Sequence, residues 1–303
     1  MNVFFIVNPV AGKGSSLNAI PVIKKYCDKL NIKYAIEKTQ YAGHATKLSR
    51  EAEKLGYSTV VAVGGDGTLL EVANGLIGSS LALGVIPAGT GNDFARSIGV
   101  PSNIEKALDF IVKNRSIPID VGKAGGLCFI NVASVGFDAE IVKDVKKIQK
   151  FIPGKLSYYI SVFLKFFSYK FKNIQIELDG EKINSRILLL AIANGCYYGG
   201  GMNVNPNGHL KDGYLDVIVI SSLPRYKIPL LFAKFAKGNY LHLPYVKTYR
   251  ARNIKIYCNE KLPVNTDGDI SMQTPIEFSI LPLSLKVITN SKLCSQEVLN
   301  GSR

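Results

Sequence analysis

Three glycine-containing turns follow apolar strands in the N-terminal third of the chain, and their residue types suit the binding of phosphate groups. The most informative lies in residues 60–71, where a β-branched strand runs into a Gly-Gly-Asp-Gly sequence around Asp66 and then into a helix pattern. Glycine has no Cβ, so the backbone can turn sharply and approach a ligand closely. The N-terminus of the following helix offers N–H groups and a positive dipole end. Because Asp66 would repel a bare phosphate, the turn indicates a bridging Mg²⁺ ion or an essential lysine.

The other two turns are residues 86–95 (IPAGTGNDFA) and residues 7–14 (VNPVAGKG). The turn at 86–95 places Asn92 or Asp93 at a helix start, where a plain N-cap is the alternative interpretation. The turn at 7–14 is not a Walker A loop, because Val7 stands at the first glycine position and Gly14 replaces the Ser or Thr. A structural bend explains any one of these turns alone, but three turns converging on one sheet edge favour a nucleotide site.

Strand and helix patterns alternate along residues 1–120. Such alternation is typical of a parallel sheet in an α/β domain, where ligands bind beyond the carboxyl ends of the strands. The predicted strands are Val3–Val7, Lys33–Lys38, Thr59–Val63 and Ala82–Ile86. The predicted helices are Ser15–Leu30, Gly43–Leu55, Thr68–Ile77 and Asn103–Val112.

From about residue 121 the pattern changes to short strands with tight turns, including a hairpin signal at Asp179-Gly180. The predicted strands are Cys128–Ala133, Ile174–Leu178, Arg186–Ala193, Tyr214–Ile220, Asn253–Cys258 and Ile276–Ile280, followed by Ser284–Ile288. We therefore expect an α/β protein with two domains. The first is a three-layer α/β nucleotide-binding domain of residues 1–120, joined by residues 281–303. The second is a mainly antiparallel β-sandwich domain of residues 121–280.

The positive charge of the chain is concentrated in two stretches. The chain has 303 residues with 37 Lys and Arg against 23 Asp and Glu, a net charge of +14. Residues 143–172 carry eight Lys and one Asp, and residues 225–252 carry seven Lys or Arg and no acid. Both stretches also contain aromatic and aliphatic residues, which suits an anionic lipid surface. Two helices with buried apolar faces and solvated lysines are an equally good interpretation, and nucleic acid is disfavoured because no binding motif accompanies the charge.

The cysteine pattern and the hydropathy favour a cytoplasmic protein. The five cysteines are odd in number and scattered without a CxxC pair, as expected of reduced thiols. No apolar run reaches the about 18 residues that a membrane-spanning helix needs, and Val3–Val7 lacks the flanks of a signal peptide. The three histidines do not cluster, which disfavours a zinc site.

The strings NPVAGKG, GGDGTLLEVANGL and PAGTGNDFAR, in this order and spacing, resemble the catalytic domain of diacylglycerol kinases. More closely, they resemble the soluble bacterial lipid kinases of that family, to which sphingosine kinases are also similar. The likeness continues through residues 119–122, 131–138 and 193–195 and ends with Asn265-Thr266-Asp267-Gly268-Asp269. The GGDGT core alone also occurs in NAD kinases.

This resemblance implies a set of site residues. ATP would lie between the domains and be bound by Asn8, Pro9, Val10, Ala11, Gly12, Thr39, Gly64, Gly65, Asp66, Gly67, Thr68, Leu69, Leu70 and Thr90. Asp66 and Asp120 would organise the Mg²⁺–ATP complex. Asp269 would be the general base, although the family usually has the longer Glu there, and Asp267 is the alternative. Asp212 and the backbone carbonyls of His209 and Tyr214 resemble the family's structural Mg²⁺ loop, for which a simple turn before a strand is the alternative.

The activity implied by the resemblance is transfer of the ATP γ-phosphate to a lipid hydroxyl, with diacylglycerol as the family default and phosphatidic acid as product. Asp66, Asp267 and Asp269 would be the catalytic residues, in a protein bound peripherally to an anionic membrane. Dimers are common in the family, which leaves a homodimer open. Two alternatives are a NAD kinase-like phosphotransferase, disfavoured by the PAGTGND turn, and a catalytically weak lipid-binding protein, disfavoured by the retained aspartates.

Overall fold

One continuous sheet joins an α/β unit to a β-rich unit in the computed structural model, which describes residues 1–137, 139–141 and 169–290. Asp138, nearly all of the basic stretch 143–172 and the segment 291–303 lie outside the described residues. The expectations placed on those residues are therefore not addressed by the structure.

The N-terminal unit is a parallel sheet covered by helices on both faces. Its strands are β1 (Asn2–Val7), β2 (Lys33–Lys38), β3 (Thr59–Gly64) and β4 (Ala82–Pro87), and its helices are α1 (Ala19–Lys29), α2 (His44–Lys54), α3 (Asp66–Leu76), α4 (Asp93–Ser97) and α5 (Ile104–Lys113). The strands pair in the order β4-β3-β1-β2. Alternate residues of β1 explain the layers, because Phe4 and Ile6 pack with α2 and α3 while Phe5 packs with α1 and α5. This arrangement confirms the predicted three-layer α/β architecture.

The start of α1 differs from the prediction. A helix was expected from Ser15, but residues 11–18 form an irregular 3-10 segment in which Gly12, Lys13 and Gly14 are left-handed. The Ser16 hydroxyl donates to the carbonyl oxygen of Asn8 at 2.5 Å. This bond folds the segment back onto the end of β1 and delays the α-helix to Ala19.

The second unit is built mainly from antiparallel strands, as expected. They are β5 (Arg115–Ala124), β6 (Leu127–Phe129), β7 (Val132–Gly136), β8 (Lys172–Leu178), β9 (Glu181–Ala193), β10 (Tyr197–Tyr198), β11 (Met202–Asn203), β12 (Leu215–Ser221), β13 (Val246–Ala251), β14 (Asn253–Tyr257), β15 (Pro263–Thr266), β16 (Asp269–Gln273) and β17 (Ile276–Thr289), with helix α6 (Ile228–Ala236) after β12. The hairpin at Asp179-Gly180 is confirmed, since β8 and β9 pair up to Leu178 and Glu181.

Two strand predictions need correction. The segment Cys128–Ala133 is not one strand but the end of β6 and the start of β7, because the N–H groups of Ile130 and Asn131 donate to a side chain instead of a neighbouring strand. The two strands expected at Ile276–Ile280 and Ser284–Ile288 are one strand, β17, whose register shifts between Leu281 and Leu285.

Strands β5 and β17 connect the two units. β17 pairs with β14 of the second unit near its start and, in parallel, with β4 through Lys286 and Val287. β5 runs antiparallel to β17 along most of this length. The expected domain limits at residues 120 and 281 therefore fall inside two strands, and these strands fix the cleft between the units.

The described residues contain no helix that is both long and apolar enough to cross a bilayer. Cys27, Cys128 and Cys258 are free thiols, in agreement with the expectation of reduced cysteines, and Cys294 lies outside the described residues.

Candidate active site

The carboxylate of Asp66 joins the glycine turn after β3 to the turn after β4. Asp66 begins α3, and its two oxygens accept the backbone N–H groups of Asn92 and Asp93 at 2.8 and 2.9 Å. The backbones of the two turns also touch, since a Cβ at Gly89 would lie 2.5 Å from the Cα of Gly65. Only glycine fits at residue 89 without moving the neighbouring turn.

The turn after β1 contacts both of the others. The Asn8 side-chain amide donates to the hydroxyl of Thr68 at 2.8 Å. Gly12 is left-handed (φ +57°), and a Cβ there would overlap the carbonyl oxygen of Ala88. The predicted convergence of three turns on one sheet edge is therefore confirmed, with the N-terminus of α3 at its centre.

A cleft of about 210 Å³ opens beside these turns, between the two units. Three carboxylates line it, those of Asp66 and Asp93 from the first unit and Asp267 from the second. The other lining residues are Leu69, Gly91, Phe94, Ile130, Asn131, Val132, Tyr198, Gly199, Gly200, Asn265 and Gly268. The cleft thus carries acidic side chains from both units.

Asp267 is held rigidly in the cleft wall. Its carboxylate accepts backbone N–H groups from Ile130 (2.7 Å), Asn131 (3.1 Å) and Val132 (2.9 Å). Burial raises the pKa of Asp267 to about 6, against the lowering effect of these three hydrogen bonds, and the nearby charge of Asp66 adds to the rise. A carboxyl group with this pKa is ionised at neutral pH. Its pKa is also close enough to neutral pH for the group to take up a proton.

Asp269, the first expectation for the general base, lies elsewhere. It is exposed at the start of β16, opposite Thr266 in the hairpin, and is not among the residues that line the cleft. The alternative, Asp267, is the member of this pair that faces Asp66. Which of the two accepts a proton stays a prediction, tested below.

Asp93 was considered only as a possible helix cap, yet it lines the cleft. It is 8% exposed, pairs with Arg96 at 2.8 Å and accepts the N–H of Gly200 at 2.8 Å. Burial, as the largest cause, raises the pKa of Asp93. The sequence string PAGTGNDFAR contains Asp93 and could have indicated it as a site residue. The contact of Asp93 with residue 200 depends on the tertiary fold.

The remaining residues expected to bind ATP are not equally placed. Leu69 lines the cleft, whereas Leu70 packs against the core. Thr90 is exposed on the turn after β4, and Val10 is exposed on the turn after β1. Thr39 follows β2, and its N–H donates to the carbonyl oxygen of Val7 at 2.9 Å, which places it next to the first turn.

Asp120 lies away from this cleft. It is fully buried in β5, and its oxygens accept the N–H groups of Gly213 at 2.7 Å and Leu283 at 2.8 Å. The side-chain amide of Asn194 donates to its carbonyl oxygen at 2.9 Å. In this structure Asp120 ties β5 and β17 to the loop at residue 213, which is a contact between elements and not part of the cleft lining.

A Mg²⁺ ion that accompanies a nucleotide fits the cleft. The described residues hold no group of three acidic, His or Cys side chains placed to bind a metal by themselves. Mg²⁺ with a nucleotide needs only one or two carboxylates, since phosphate oxygens and water complete its octahedron. Asp66 and Asp267 influence each other electrostatically across the cleft, so a cation between them would relieve their repulsion.

The loop expected to hold a structural Mg²⁺ does not fit one as it is arranged here. One oxygen of Asp212 accepts the N–H of Tyr214 at 3.1 Å, and the other is paired with the guanidinium of Arg250. Arg250 also lies 3.4 Å from Asp216 and over the ring of Tyr214 at 4.7 Å. A cation is thus already present at this carboxylate, and its charge would repel a divalent ion.

Comparison with known proteins agrees with this architecture. Residues 2–124 match the model of the diacylglycerol kinase catalytic domain, and residues 131–289 match that of the YegS C-terminal NAD kinase beta sandwich-like domain. A diacylglycerol kinase of Staphylococcus carnosus is 30% identical over 97% of both chains, and one of Bacillus subtilis is 29% identical over 96% of this chain and 97% of its own.

Solved structures give the same result. A diacylglycerol kinase structure from Bacillus anthracis aligns with a TM-score of 0.72 at 28% identity, covering 96% of this chain and 98% of the other. Another solved chain from that organism aligns with a TM-score of 0.80 at 31% identity over 96% of both chains. The fold is thus that of a class of kinases built from two units around a cleft. The chain belongs to the diacylglycerol kinase family of lipid kinases.

The Arg250–Asp212 pair predicts a weak response to magnesium alone. Without nucleotide, millimolar Mg²⁺ should shift the melting temperature of the wild type by less than about 1 °C, whereas a filled site would raise it by several degrees. Arg250→Leu should lower the melting temperature, because the Asp212 charge is left unpaired, and Mg²⁺ should then restore part of it.

Arg252→Leu is the matched control for this experiment. Arg252 also lies over the Tyr214 ring, at 4.8 Å, so its loss removes a similar stacking contact. Differential scanning fluorimetry with Mg²⁺ or EDTA measures both variants. A magnesium-stabilised wild type that loses this response in Asp212→Asn would show that the loop does bind a metal.

Proposed function

We propose that this protein is an ATP-dependent lipid kinase that transfers the γ-phosphate of ATP to the hydroxyl group of diacylglycerol and forms phosphatidic acid. The observation that carries the proposal is the pairing of Asp66 and Asp267 on opposite walls of one cleft, beside the N-terminus of α3. Family membership supports the reaction class, and the geometry supports the position of the reacting groups.

The first turn of α3 and the glycine turns would hold the phosphates. The first N–H groups of a helix have no partner within it, and together with the helix dipole they favour anions. Asn8 is bonded to Thr68, so the turn after β1 is kept in place beside these groups. When Mg²⁺ is bound with the nucleotide, it neutralises phosphate charge. Asp66 would provide a carboxylate oxygen toward it.

The transfer step requires an in-line arrangement of the lipid hydroxyl and the γ-phosphorus. The hydroxyl oxygen forms the new P–O bond, the bond to the β-phosphate oxygen breaks, and ADP leaves. Asp267 accepts the hydroxyl proton and so loses its negative charge. It is also the side chain whose pKa is raised to about 6. Most of the acceleration comes from positioning and charge stabilisation, because phosphoryl transfer needs little covalent chemistry from the protein.

The exposed side chains of residues 226–237, a segment that includes α6, support contact with an anionic membrane. Tyr226 is 77% and Leu230 59% exposed, and Lys227 and Lys237 on the same segment are exposed. Basic and apolar groups together suit a lipid surface. Residues 225–252 are the basic stretch that lies within the described residues. They form helix α6 and strand β13, and not the single helix of the alternative interpretation.

The kinase activity is tested by offering labelled ATP and Mg²⁺ with diacylglycerol, other hydroxyl lipids and NAD. We expect label in phosphatidic acid. Asp66→Asn should reduce the rate at least about 100-fold, as expected for loss of a group that stabilises transition-state charge. Asn is preferred to Ala because it keeps the size of the side chain and an acceptor oxygen for one of the two N–H groups of Asn92 and Asp93.

Glu51→Gln, an exposed residue of α2, is the control and should keep wild-type activity. Label in NAD would establish the NAD kinase-like alternative. Lipid binding without label in any acceptor would establish the catalytically weak alternative.

The base assignment is tested by pH profiles. The value of kcat/KM reports the free enzyme, so it should fall tenfold per pH unit below about pH 6, the pKa of Asp267. Asp267→Asn should lower the rate about 10²- to 10⁴-fold, whereas Asp269→Asn should keep both rate and profile. The reverse result would assign the base to Asp269.

A stability measurement separates this titration from catalysis. Folding raises the pKa of Asp267 above the roughly 3.9 of an unfolded Asp, so the native state binds more protons between about pH 4 and 6. The free energy of unfolding should therefore fall as the pH rises through this range. Asp267→Asn should remove that part of the pH dependence.

Membrane contact is tested by sedimentation with phosphatidylglycerol vesicles at low and high salt. Each Lys near an anionic surface contributes about 1 kcal/mol, so the double change Lys227→Gln and Lys237→Gln should weaken binding about 30-fold. High salt should do the same. Lys54→Gln on α2 is the control, and an equal loss in that variant, or binding insensitive to salt, would contradict a role for this face.

A further inference from the structure

Tyr41 and His44 form a stacked pair on the loop after β2. Their ring centroids are 4.6 Å apart and the planes are tilted by 19°. The Nδ1 atom of His44 accepts the N–H of Gln40 at 3.1 Å, which fixes the imidazole. Tyr41 is 57% exposed, so its ring has one face on His44 and still offers surface to a planar group.

This pair lies beside the phosphate-binding turns. The loop begins at Thr39, which is bonded to Val7 at the end of β1. Helix α2 then starts at His44 and is tied to α3: the Ala45 N–H donates to the Glu71 carboxylate at 3.2 Å and the Thr46 hydroxyl to the Glu71 carbonyl at 2.8 Å. The rings are therefore anchored to the helix whose N-terminus faces the cleft.

The direction of a bound nucleotide follows from the strand order. The acceptor cleft with Asp267 lies on the β4 side, where α4 contacts the second unit. A triphosphate at the start of α3 must point its γ-phosphate toward that side. Ribose and base must then extend the opposite way, over the turn after β1 toward β2. From β3 to β2 is two strand spacings, about 10 Å, which is comparable to the length of a nucleotide.

We propose that Tyr41 is the stacking surface for the base of the nucleotide, adenine in the reaction given above. The inference rests on the proposed function and adds to it the place and chemistry of base recognition. Bases stack on aromatic side chains regardless of their hydrogen-bonding pattern. His44 acts as a positioning residue, because its ring holds the phenol in the orientation that the base meets.

Binding of two probes tests the proposal. MgADP carries the base, whereas magnesium tripolyphosphate has the phosphates without it. A stacking contact is worth about 1–3 kcal/mol, or roughly 5- to 150-fold in affinity. Calorimetry should show MgADP binding weakened within that range in Tyr41→Leu and retained in Tyr41→Phe. Tripolyphosphate binding should be the same in all three proteins. Tyr257→Leu on the second unit, also an exposed tyrosine, is the control and should bind both probes like the wild type.

Fluorescence gives a second readout. The chain contains no Trp, so Tyr41→Trp introduces a single reporter. Its emission should change on addition of MgADP and not with magnesium tripolyphosphate, and Tyr257→Trp should respond to neither.

Equal MgADP affinity of wild type and Tyr41→Leu would overturn the base site and leave the kinase proposal standing. No heat from the wild type with either MgADP or MgATP would overturn the nucleotide-dependent function itself, and the base site with it.

Discussion

The carboxylate of Asp66 is the interaction on which the geometry of the candidate site depends. By accepting the N–H groups of Asn92 and Asp93, it fixes the start of α4 against the start of α3. Asp93, placed in this way, accepts the N–H of Gly200 from the second unit. One side chain therefore sets both the spacing of two glycine turns and the contact that closes one side of the cleft. Such a role requires the two turns to approach closely, which the pair Gly65 and Gly89 allows.

A similar use of carboxylates recurs where the units meet. Asp267 accepts three backbone N–H groups where β6 ends and β7 begins, and Asp120 accepts two, from the loop at residue 213 and from β17. A buried carboxylate that accepts several backbone N–H groups is stabilised by charge-assisted hydrogen bonds, and it orders backbone that has no strand partner. The difference between the two lies in access. Asp120 is completely buried, whereas Asp267 borders the cleft and can serve chemistry as well as structure.

Local patterns were sufficient for the first unit and insufficient for the contacts of the second. Strands β1, β3 and β4 are buried on both faces and so appear as continuous apolar runs, whereas the edge strand β2 is partly exposed. The predicted limits of all four strands agree with the structure within one residue. The glycine turns were visible because strand, turn and helix are adjacent in the chain. The break between β6 and β7 was not, because Asp267 causes it from more than 130 residues away. The same holds for Arg250 and Asp212, which are 38 residues apart. The ring pair of Tyr41 and His44 is three residues apart and could have been noticed.

The charge of the cleft constrains how a nucleotide can bind there. The chain carries a net charge of +14, yet three carboxylates and no Lys or Arg are found among the described residues that line the cleft. Two like charges about 4 Å apart repel by about 4 kcal/mol near a protein surface, so an uncomplexed triphosphate would be opposed at the point where its γ-phosphate must lie. In the proposed reaction, a nucleotide that arrives with a divalent cation would reverse the sign of this interaction at Asp66 and Asp267. The acidic lining would then disfavour free nucleotide and favour the metal complex, while the backbone N–H groups of the turns would bind the phosphates that the cation does not reach.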